Sequence, residues 1–523
     1  MREAYRDFVL DAAAPLVLSR ADAGGDGLAW ANGGPVRTAR RTWLDTFDWR
    51  LYRAGLTLEQ VAAGGRVSLV LAGRDGQVLA TEGLAAGTSI AWPALLDGLP
   101  PGPVREALEP VAGIRALQPV ARALSHVRDM RALNADDKTV ARLAVDQMSV
   151  TFPERGDRSL VRARLAPVRG YLAQTDRVSR VLAGLPGVSA AHGSALEAAL
   201  AATGRVPGER SGKAAAAAIS GSMPASAALA AILTALLDAL EANVPGAIRD
   251  IDTEYLHDLR IAVRWTRSAL KLCGSALPHG LARAYRPEFR WLGDLTTPTR
   301  DLDVYLLGFP AMAAGLVGAA ECELGPFRDY LVATRGTAQR RLAKELRSAR
   351  FTRLLSQWRV ALDTLPPAGR RPTAARLAAE RITTAQRRAV LAGRLITPAS
   401  PPELLHDLRK RCKELRYLVE MFGSLHDPAQ HWQAVRELKT LQDCLGEFQD
   451  TEVQRTEIRA FAAQMVAERS APAETLLAMG EIAAGLALRQ RQARAEFDGR
   501  FAAFSGMASQ ARLTALAGRR AAA

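Results

Sequence analysis

Two stretches of the sequence repeat one pattern of cationic side chains. Each begins with a histidine and continues with arginine or lysine three, seven and ten residues later. At about 100° per residue, these positions share an arc of about 80° on an α-helix. The residues are His257, Arg260, Arg264, Arg267 and Lys271 in the first stretch, and His406, Arg409, Lys413 and Arg416 in the second. We call each set a basic stripe and predict that each lies along one helix.

A basic stripe of this kind is suited to a linear polyanion. Surface helices usually interleave acids and bases, but the first stripe contains no acid, and one small anion would leave most of its charges unused. The first stripe spans about 21 Å at 1.5 Å per residue. Arginine forks bind phosphate oxygens in bidentate fashion, lysine adds a mobile point charge, and the histidines add mild pH dependence. The alternative is a solvated basic face, which the recurrence of the pattern disfavours.

Acids and additional bases are assigned to the same site. Carboxylates do not bind polyanions directly, so we predict that three of them orient the arginines or histidines of the stripes: Asp301, Asp303 and Asp450. Basic runs elsewhere supply three further predicted anion contacts: Arg341, Lys344 and Arg388. Neither stripe has a second histidine or cysteine three or four residues from its histidine, which argues against a zinc site. No catalytic residue, metal ion or cofactor is assigned.

The stripes belong to an internal repeat with an offset of 149 residues, which aligns 256–274 with 405–423. Around them, apolar residues recur at spacings of three and four, which is typical of helices. We therefore predict an all-α domain over 221–512, made of two tandem, pseudo-symmetric helical bundles at about 221–365 and 370–512. Both basic stripes should line one groove or pore at the pseudo-two-fold axis.

The preceding residues, 1–205, predict an α+β domain with an antiparallel, barrel-like sheet. Apolar runs flank turn residues within 66–81 and within 127–150, and both patterns are typical of hairpins. Alanine-rich stretches near 104–125 and 171–202 are predicted to be helical.

Bulk composition limits the class of protein. The chain has 523 residues and a net charge of +15. Residues 1–210 contain 26 basic and 22 acidic residues, a net charge of +4, so the remaining residues carry a net charge of +11. An acidic partner of the second half is therefore expected. Residues 206–220, rich in glycine, proline, serine and alanine, are the predicted linker. Four dispersed cysteines, no long apolar run and no secretory pattern predict a cytoplasmic protein without a membrane span.

The helical half resembles the CHAD family, the conserved histidine α-helical domain. The resemblance rests on LHDLRIAVRWTRSAL, LGDLTTPTRDLDVYL and LHDLRKRCKELRYLVEMF, and it covers roughly 221–512. It implies a pair of four-helix bundles that bind inorganic polyphosphate along a basic surface, with the two stripes as the anion site. One departure is Glu420, which stands where the first repeat has Lys271.

The first half resembles, more faintly, a CYTH domain, a triphosphate-tunnel barrel. The resemblance rests on motifs at 43–55, 136–146 and 167–171. Residues 1–20, however, lack the E-x-E-x-K strand whose carboxylates would hold a divalent metal, because their acids have helical spacing. The bases still predicted to line a tunnel are Arg128, Arg131, Lys138 and Arg142. We expect a degenerate barrel without hydrolase activity.

The basic stripes and the resemblance together predict a non-catalytic, cytoplasmic protein that binds inorganic polyphosphate. The resemblance alone implies an association with polyphosphate granules. One alternative is a triphosphate or polyphosphate hydrolase acting through the first domain. Another is nucleic-acid binding; some weak, nonspecific binding is expected from the charge, but the basic helices lack interleaved aromatic residues for base stacking.

Overall fold

The computed structural model describes residues 5–11, 28–85, 87–151, 157–208, 217–365 and 372–518. The chain forms two compact units, Met1–Ser211 and Gly212–Ala523. The first unit is rich in antiparallel sheet, and the second is helical throughout its described residues. The predicted fold class is therefore confirmed. The division falls within the predicted linker, of which residues 209–216 lie outside the described residues.

One antiparallel sheet organises the first unit. Its strands are β1 (Arg6–Leu10), β2 (Ala29–Asn32), β3 (Arg37–Thr46), β4 (Leu56–Ala63), β5 (Arg66–Gly73), β6 (Val78–Leu84), β7 (Leu117–Leu133), β8 (Thr139–Thr151), β9 (Arg158–Pro167) and β10 (Val188–Ala190). They are ordered β10-β1-β9-β8-β7-β3-β4-β5-β6, and β2 pairs with β7. The helices are α1 (Arg50–Arg53), α2 (Pro103–Ala112), α3 (Leu172–Gly184) and α4 (Ala195–Ala202).

Both predicted hairpins are present. Between β5 and β6, Gly76 has a φ of 76° and the Asp75 carboxylate accepts from the backbone N–H of Gln77 at 3.0 Å. Between β7 and β8, the Asn134 side chain accepts from the backbone N–H of Lys138 at 2.9 Å. Both turns use side-chain-to-backbone hydrogen bonds typical of aspartate and asparagine.

The predicted helix at 104–125 is only half correct. Helix α2 ends at Ala112, and β7 begins at Leu117. From Ala121 to His126 buried and exposed residues alternate, as on a strand with one covered face. Pairing of this strand with both β3 and β8 overrides the helical preference of its alanines. The second stretch, 171–202, contains two helices separated by β10.

The second unit contains ten α-helices in its described residues. They are α5 (Ala225–Arg249), α6 (Thr253–Leu272), α7 (Leu281–Ala314), α8 (Gly325–Leu346), α9 (Ala349–Asp363), α10 (Ala374–Arg394), α11 (Pro402–Met421), α12 (Pro428–Ala467), α13 (Ala473–Ser505) and α14 (Met507–Leu516). Helices α6 and α11 begin and end 149 residues apart, as the internal repeat requires. A buried cluster that includes Tyr305 of α7, Phe327 of α8 and Ile458 of α12 packs the two repeats together.

Helix α5 is long and apolar enough to cross a membrane by length and composition. More than half of its most apolar window is buried within the unit, with Leu229, Leu233 and Leu240 in the core. The core helix of a protein outside membranes passes the same test. The absence of a membrane span stays a prediction.

Candidate anion-binding site

Helix α6 presents the first basic stripe because its apolar residues fix its orientation. The Asp252 carboxylate caps the helix by accepting from the backbone N–H groups of Glu254 and Tyr255 at 2.9 and 3.2 Å. Leu259 and Val263 are buried, which turns the neighbouring arc outward. His257 and Arg260 are half-buried, whereas Arg264, Arg267 and Lys271 are exposed.

Helix α11 presents the second basic stripe in the same way. Leu408, Cys412 and Val419 are buried on its core face. The four stripe residues beside that face are all half-buried: His406, Arg409, Lys413 and Arg416. The second stripe is therefore less accessible to solvent than the outer part of the first.

The two stripe helices contact each other. The rings of Trp265 on α6 and Tyr417 on α11 lie 5.7 Å apart. The guanidinium carbon of Arg264 lies 5.8 Å from the centre of the Tyr417 ring. Farther along, the Lys271 ammonium pairs with the Glu414 carboxylate at 2.6 Å. Stripe residues of the two repeats thus form one cluster at the α6–α11 contact, which we call the basic cluster.

Lys413 shows how strongly positive charge accumulates there. Burial and the charges of Arg409, Arg264 and Arg416 together lower the pKa of its ammonium to about 8, against the opposing charge of Asp450. Arg264 belongs to α6 and the other two arginines to α11, so both repeats act on this lysine. A half-buried lysine among three guanidinium groups is a site in which a bound anion would relieve like-charge repulsion.

Arg260 is held mainly by neutral partners. Its Nη1 donates to the hydroxyls of Thr296 and Thr297 at 2.9 Å each, and to the Gly293 carbonyl at 3.3 Å. Burial lowers the pKa of this guanidinium, and the charge of Asp301 opposes that shift. Asp301 therefore acts electrostatically on Arg260, and its orienting role stays a prediction.

Asp450 contacts the second basic stripe directly. Its Oδ1 accepts from Arg409 Nη2 at 2.8 Å. Beside it, His406 Nδ1 lies 2.7 Å from Oε1 of Gln449, so the ring donates from Nδ1. The carboxylate and the amide thus hold two adjacent residues of the stripe.

Asp303 has a different partner from the one predicted. It is 1% exposed, and its Oδ1 accepts from Arg335 Nε on α8 at 2.8 Å. Arg335 also donates to Asp250. Asp303 therefore anchors α8 to α7 instead of orienting a stripe residue. Helix α7 turns by about 200° over two residues, so Asp301 and Asp303 point to opposite sides.

The three further bases that were predicted to contact the anion make no described contact with the basic cluster. Arg341 and Lys344 are exposed on α8, which packs against α5, α7 and α9. Arg388 is exposed on α10, which packs against α5 and α11. Their role in anion binding stays a prediction. The same basic run contains Arg381, whose Nη2 donates to the Ser275 hydroxyl at 2.6 Å, just beyond the end of α6.

Two of the acids on α11 pair with residues of the basic stripes. Glu414 pairs with Lys271, and Glu420 Oε1 lies 3.4 Å from Arg416 Nε. The basic cluster is therefore partly neutralised at one end, where sequence reasoning had already noted Glu420 in place of a lysine. The sequence does not indicate that Glu414 pairs with a stripe residue, because its partner, Lys271, lies on the other repeat.

The first unit has its own polar interior. A cavity of about 180 Å³ is lined by Asp7, Arg41, Asp146, Arg162 and Arg164, together with small and apolar residues. Asp7 accepts two hydrogen bonds from Arg164 at 2.8 Å each. Asp146 accepts from Arg41 at 2.8 Å. Arg162 donates to the carbonyls of Gly193 and Ser194 at 2.9 Å.

These residues correct two expectations. Asp7 lies on β1, so the acids near the N-terminus include one on a strand of the sheet. The bases predicted to line a tunnel do not line this cavity, and all four are exposed: Arg128, Arg131, Lys138 and Arg142. Within the described residues, no group of three histidine, cysteine or acidic side chains could hold a metal ion.

Comparison with known proteins identifies the class of the second unit. Residues 231–459 match the family model of the CHAD domain, a range that contains both basic stripes. The helical unit is therefore similar to CHAD domains over this range. None of the curated proteins matches the chain.

Three solved structures are similar to parts of the chain. The CHAD domain from the plant Ricinus communis is 25% identical, covers 55% of this chain and 95% of its own, and has a TM-score of 0.47. PptA from Streptomyces chartreusis is 19% identical, with coverages of 53% and 99% and a TM-score of 0.42. A candidate adenylate cyclase from Bacillus halodurans is 15% identical, with coverages of 34% and 87% and a TM-score of 0.26.

Proposed function

We propose that the helical unit binds inorganic polyphosphate through the basic cluster and performs no chemistry on it. The observation that carries this proposal is the position of Lys413, half-buried and surrounded by Arg264, Arg409 and Arg416 from both repeats. Assembling four cations at a helix contact costs free energy unless an anion is bound. A polymer with one negative charge on each phosphate is suited to such a row.

The outward part of the first stripe supports a polymeric ligand. Arg264 and Arg267 are exposed, and no described carboxylate forms an ion pair with either of them. Their guanidinium forks can each take two phosphate oxygens. Lys413 lies at the same contact between α6 and α11 and contributes a third cation. Several separate cations on one surface favour a ligand with several linked anions over a single phosphate.

The aromatic residues at the site disfavour nucleic acid. Bases bind single-strand proteins by stacking on exposed rings. Tyr417 is 4% exposed, and the Trp265 ring is turned toward it. The rings therefore serve helix packing. A cytoplasmic location, including polyphosphate granules, is a further part of this proposal and follows from the ligand.

The test is a titration of the full chain with long-chain polyphosphate, in parallel with single-stranded DNA of equal total charge, at near-physiological salt. The variant is Arg264→Ala/Lys413→Ala, which removes two cations from the basic cluster. The matched control is Arg376→Ala/Arg489→Ala, which removes two exposed arginines of the same unit. Salt concentration is held fixed because it alone changes the affinity of a polyanion.

We expect tighter binding of polyphosphate than of DNA, and a loss of at least about tenfold in polyphosphate affinity in the cluster variant. The control should change by less than about threefold. Equal binding of the two polymers, or equal losses in the two variants, would reduce the site to a general basic surface.

A further inference from the structure

Glu420 lies among the cations that are proposed to bind phosphate. It is half-buried on the last turn of α11, four residues after Arg416. Burial raises the pKa of its carboxyl, while the charges of Arg416 and Arg264 oppose that shift. Both guanidinium carbons lie 5.8 Å from the centre of the Tyr417 ring. A carboxylate thus sits beside two arginines that come from different repeats.

The interaction between Glu420 and Arg416 is poorly satisfied. Their closest approach, from Arg416 Nε to Glu420 Oε1, is 3.4 Å, which is long for a charge-assisted hydrogen bond. Glu420 Oε2 and Arg416 Nε are both buried, and neither has a hydrogen-bond partner among the described residues. Buried polar atoms without partners cost free energy. The ion pair between Arg416 and Glu420 is therefore a weak interaction within the basic cluster.

The internal repeat shows that an acid is not required by the fold at this position. The equivalent residue of the first repeat is Lys271, 149 positions earlier. Lys271 extends into solvent and pairs with Glu414 on the other repeat. A helix of the same length and packing thus carries a cation in one repeat and an anion in the other.

We propose that Glu420 is an internal substitute for a ligand phosphate, occupying an anion subsite formed by Arg264 and Arg416 until polyphosphate displaces it. This inference rests on the proposed function. The phosphate oxygens of the polymer would supply the acceptors that Arg416 Nε lacks. The displaced carboxylate would gain hydration. Glu420 then lowers the affinity for polyphosphate, because every binding event must first break its contact.

The test uses a double-mutant cycle on the full chain, with long-chain polyphosphate as the probe. Glu420→Gln keeps the shape of the side chain and removes its charge. We expect about five- to tenfold tighter binding and a salt dependence that is steeper by about one counterion, because Arg416 becomes free to contact a phosphate. Arg416→Ala should weaken binding more in the Glu420→Gln background than in the natural sequence.

Controls separate this inference from a general charge effect. Glu380→Gln breaks another Arg–Glu pair with the same four-residue spacing, on α10, and should leave affinity within about twofold. Glu420→Lys restores the residue type of the first repeat and should also tighten binding. Additive effects of Glu420→Gln and Arg416→Ala, or an unchanged salt slope, would overturn the subsite.

The outcomes also distinguish the inference from the proposed function. If polyphosphate binding depends on Arg264 and Lys413 but is unchanged by Glu420→Gln, the proposed subsite is wrong and the proposed function stands. If no variant of the basic cluster alters binding, both fail.

Discussion

Arg260 and Arg409 occupy equivalent positions in the two repeats, yet Arg260 donates to threonine hydroxyls and Arg409 to a carboxylate. Thr297, one acceptor of Arg260, is replaced by Gly446 in the second repeat. There Asp450 takes the guanidinium at 2.8 Å. Arg260 thus donates only to neutral acceptors in its described hydrogen bonds, whereas Arg409 forms an ion pair. The two repeats share a fold and contribute unequally to the basic cluster.

Arg260 is expected to contribute to stability as well as to binding. Arg260→Ala removes three hydrogen bonds from a charged donor, so we expect a loss of about 1.5–3 kcal/mol in the free energy of unfolding. Arg264→Ala removes an exposed side chain beside Tyr417, and its loss should stay within about 1 kcal/mol. Denaturant titrations of the full chain measure both. Similar losses would show that the threonine contacts do not hold Arg260 in solution.

Polyphosphate affinity should fall between pH 7 and pH 9. Lys413 has a pKa lowered to about 8, so its ammonium is mostly charged at pH 7 and mostly neutral at pH 9 in the unbound protein. The groups acting on it are Arg409 and Arg416 on its own helix, Arg264 on α6 and Asp450 on α12. Binding above pH 8 must therefore take up a proton.

The matched variant for this prediction is Lys413→Arg. A guanidinium stays charged throughout this range, so most of the pH dependence should disappear. Calorimetric titrations at pH 7 and pH 9, in buffers with different ionisation enthalpies, measure affinity and proton uptake together. A pH dependence that persists in Lys413→Arg would assign the titration to another group.

Arg335 is expected to matter for stability and not for polyphosphate binding. It neutralises Asp303, which is 1% exposed, and also pairs with Asp250. Arg335→Ala would leave Asp303 buried without a counter-charge, at a cost of about 3–5 kcal/mol in the free energy of unfolding. Arg340→Ala, an exposed change on the same helix, is the control. Affinity for polyphosphate, measured where both variants are folded, should be unchanged.

Much of the helical unit could be predicted because helical periodicity is a local property of the sequence. Apolar residues that recur at spacings of three and four determine which face of α6 and of α11 is buried. The basic stripes lie on the neighbouring arc of each helix. The partner of Asp303 could not be predicted, because Arg335 lies on a helix with no aligned motif. Glu414 likewise pairs across the two repeats, with Lys271, and no spacing along the chain records that contact.

The sheet unit was harder to predict for a related physical reason. Residues 117–125 belong to a stretch that was predicted to be helical, and their pairing with β3 and β8 makes them a strand. The arginines that line the cavity were missed because β3 and β9, which carry them, are distant in sequence. A usable signal existed in Arg162 and Arg164, which alternate with buried Val161 and Ala163 on β9.

The polar interior of the first unit leads to the last prediction. A cavity that holds a triphosphate needs cations free to contact its oxygens. Arg164 is instead engaged by Asp7, Arg41 by Asp146, and Arg162 by backbone carbonyls. A ligand would have to break these interactions in a cavity of only about 180 Å³.

The full chain should therefore release no phosphate from tripolyphosphate, with or without added magnesium or manganese. Asp7→Asn should not create activity, but it frees Arg164 and should let the unit bind tripolyphosphate more tightly. Phosphate release and calorimetric binding measure the two effects. Arg142→Ala, an exposed change on β8, is the control. Hydrolysis that is abolished by Arg164→Ala and retained in Arg142→Ala would make the first unit an enzyme and assign its interior arginines to the substrate.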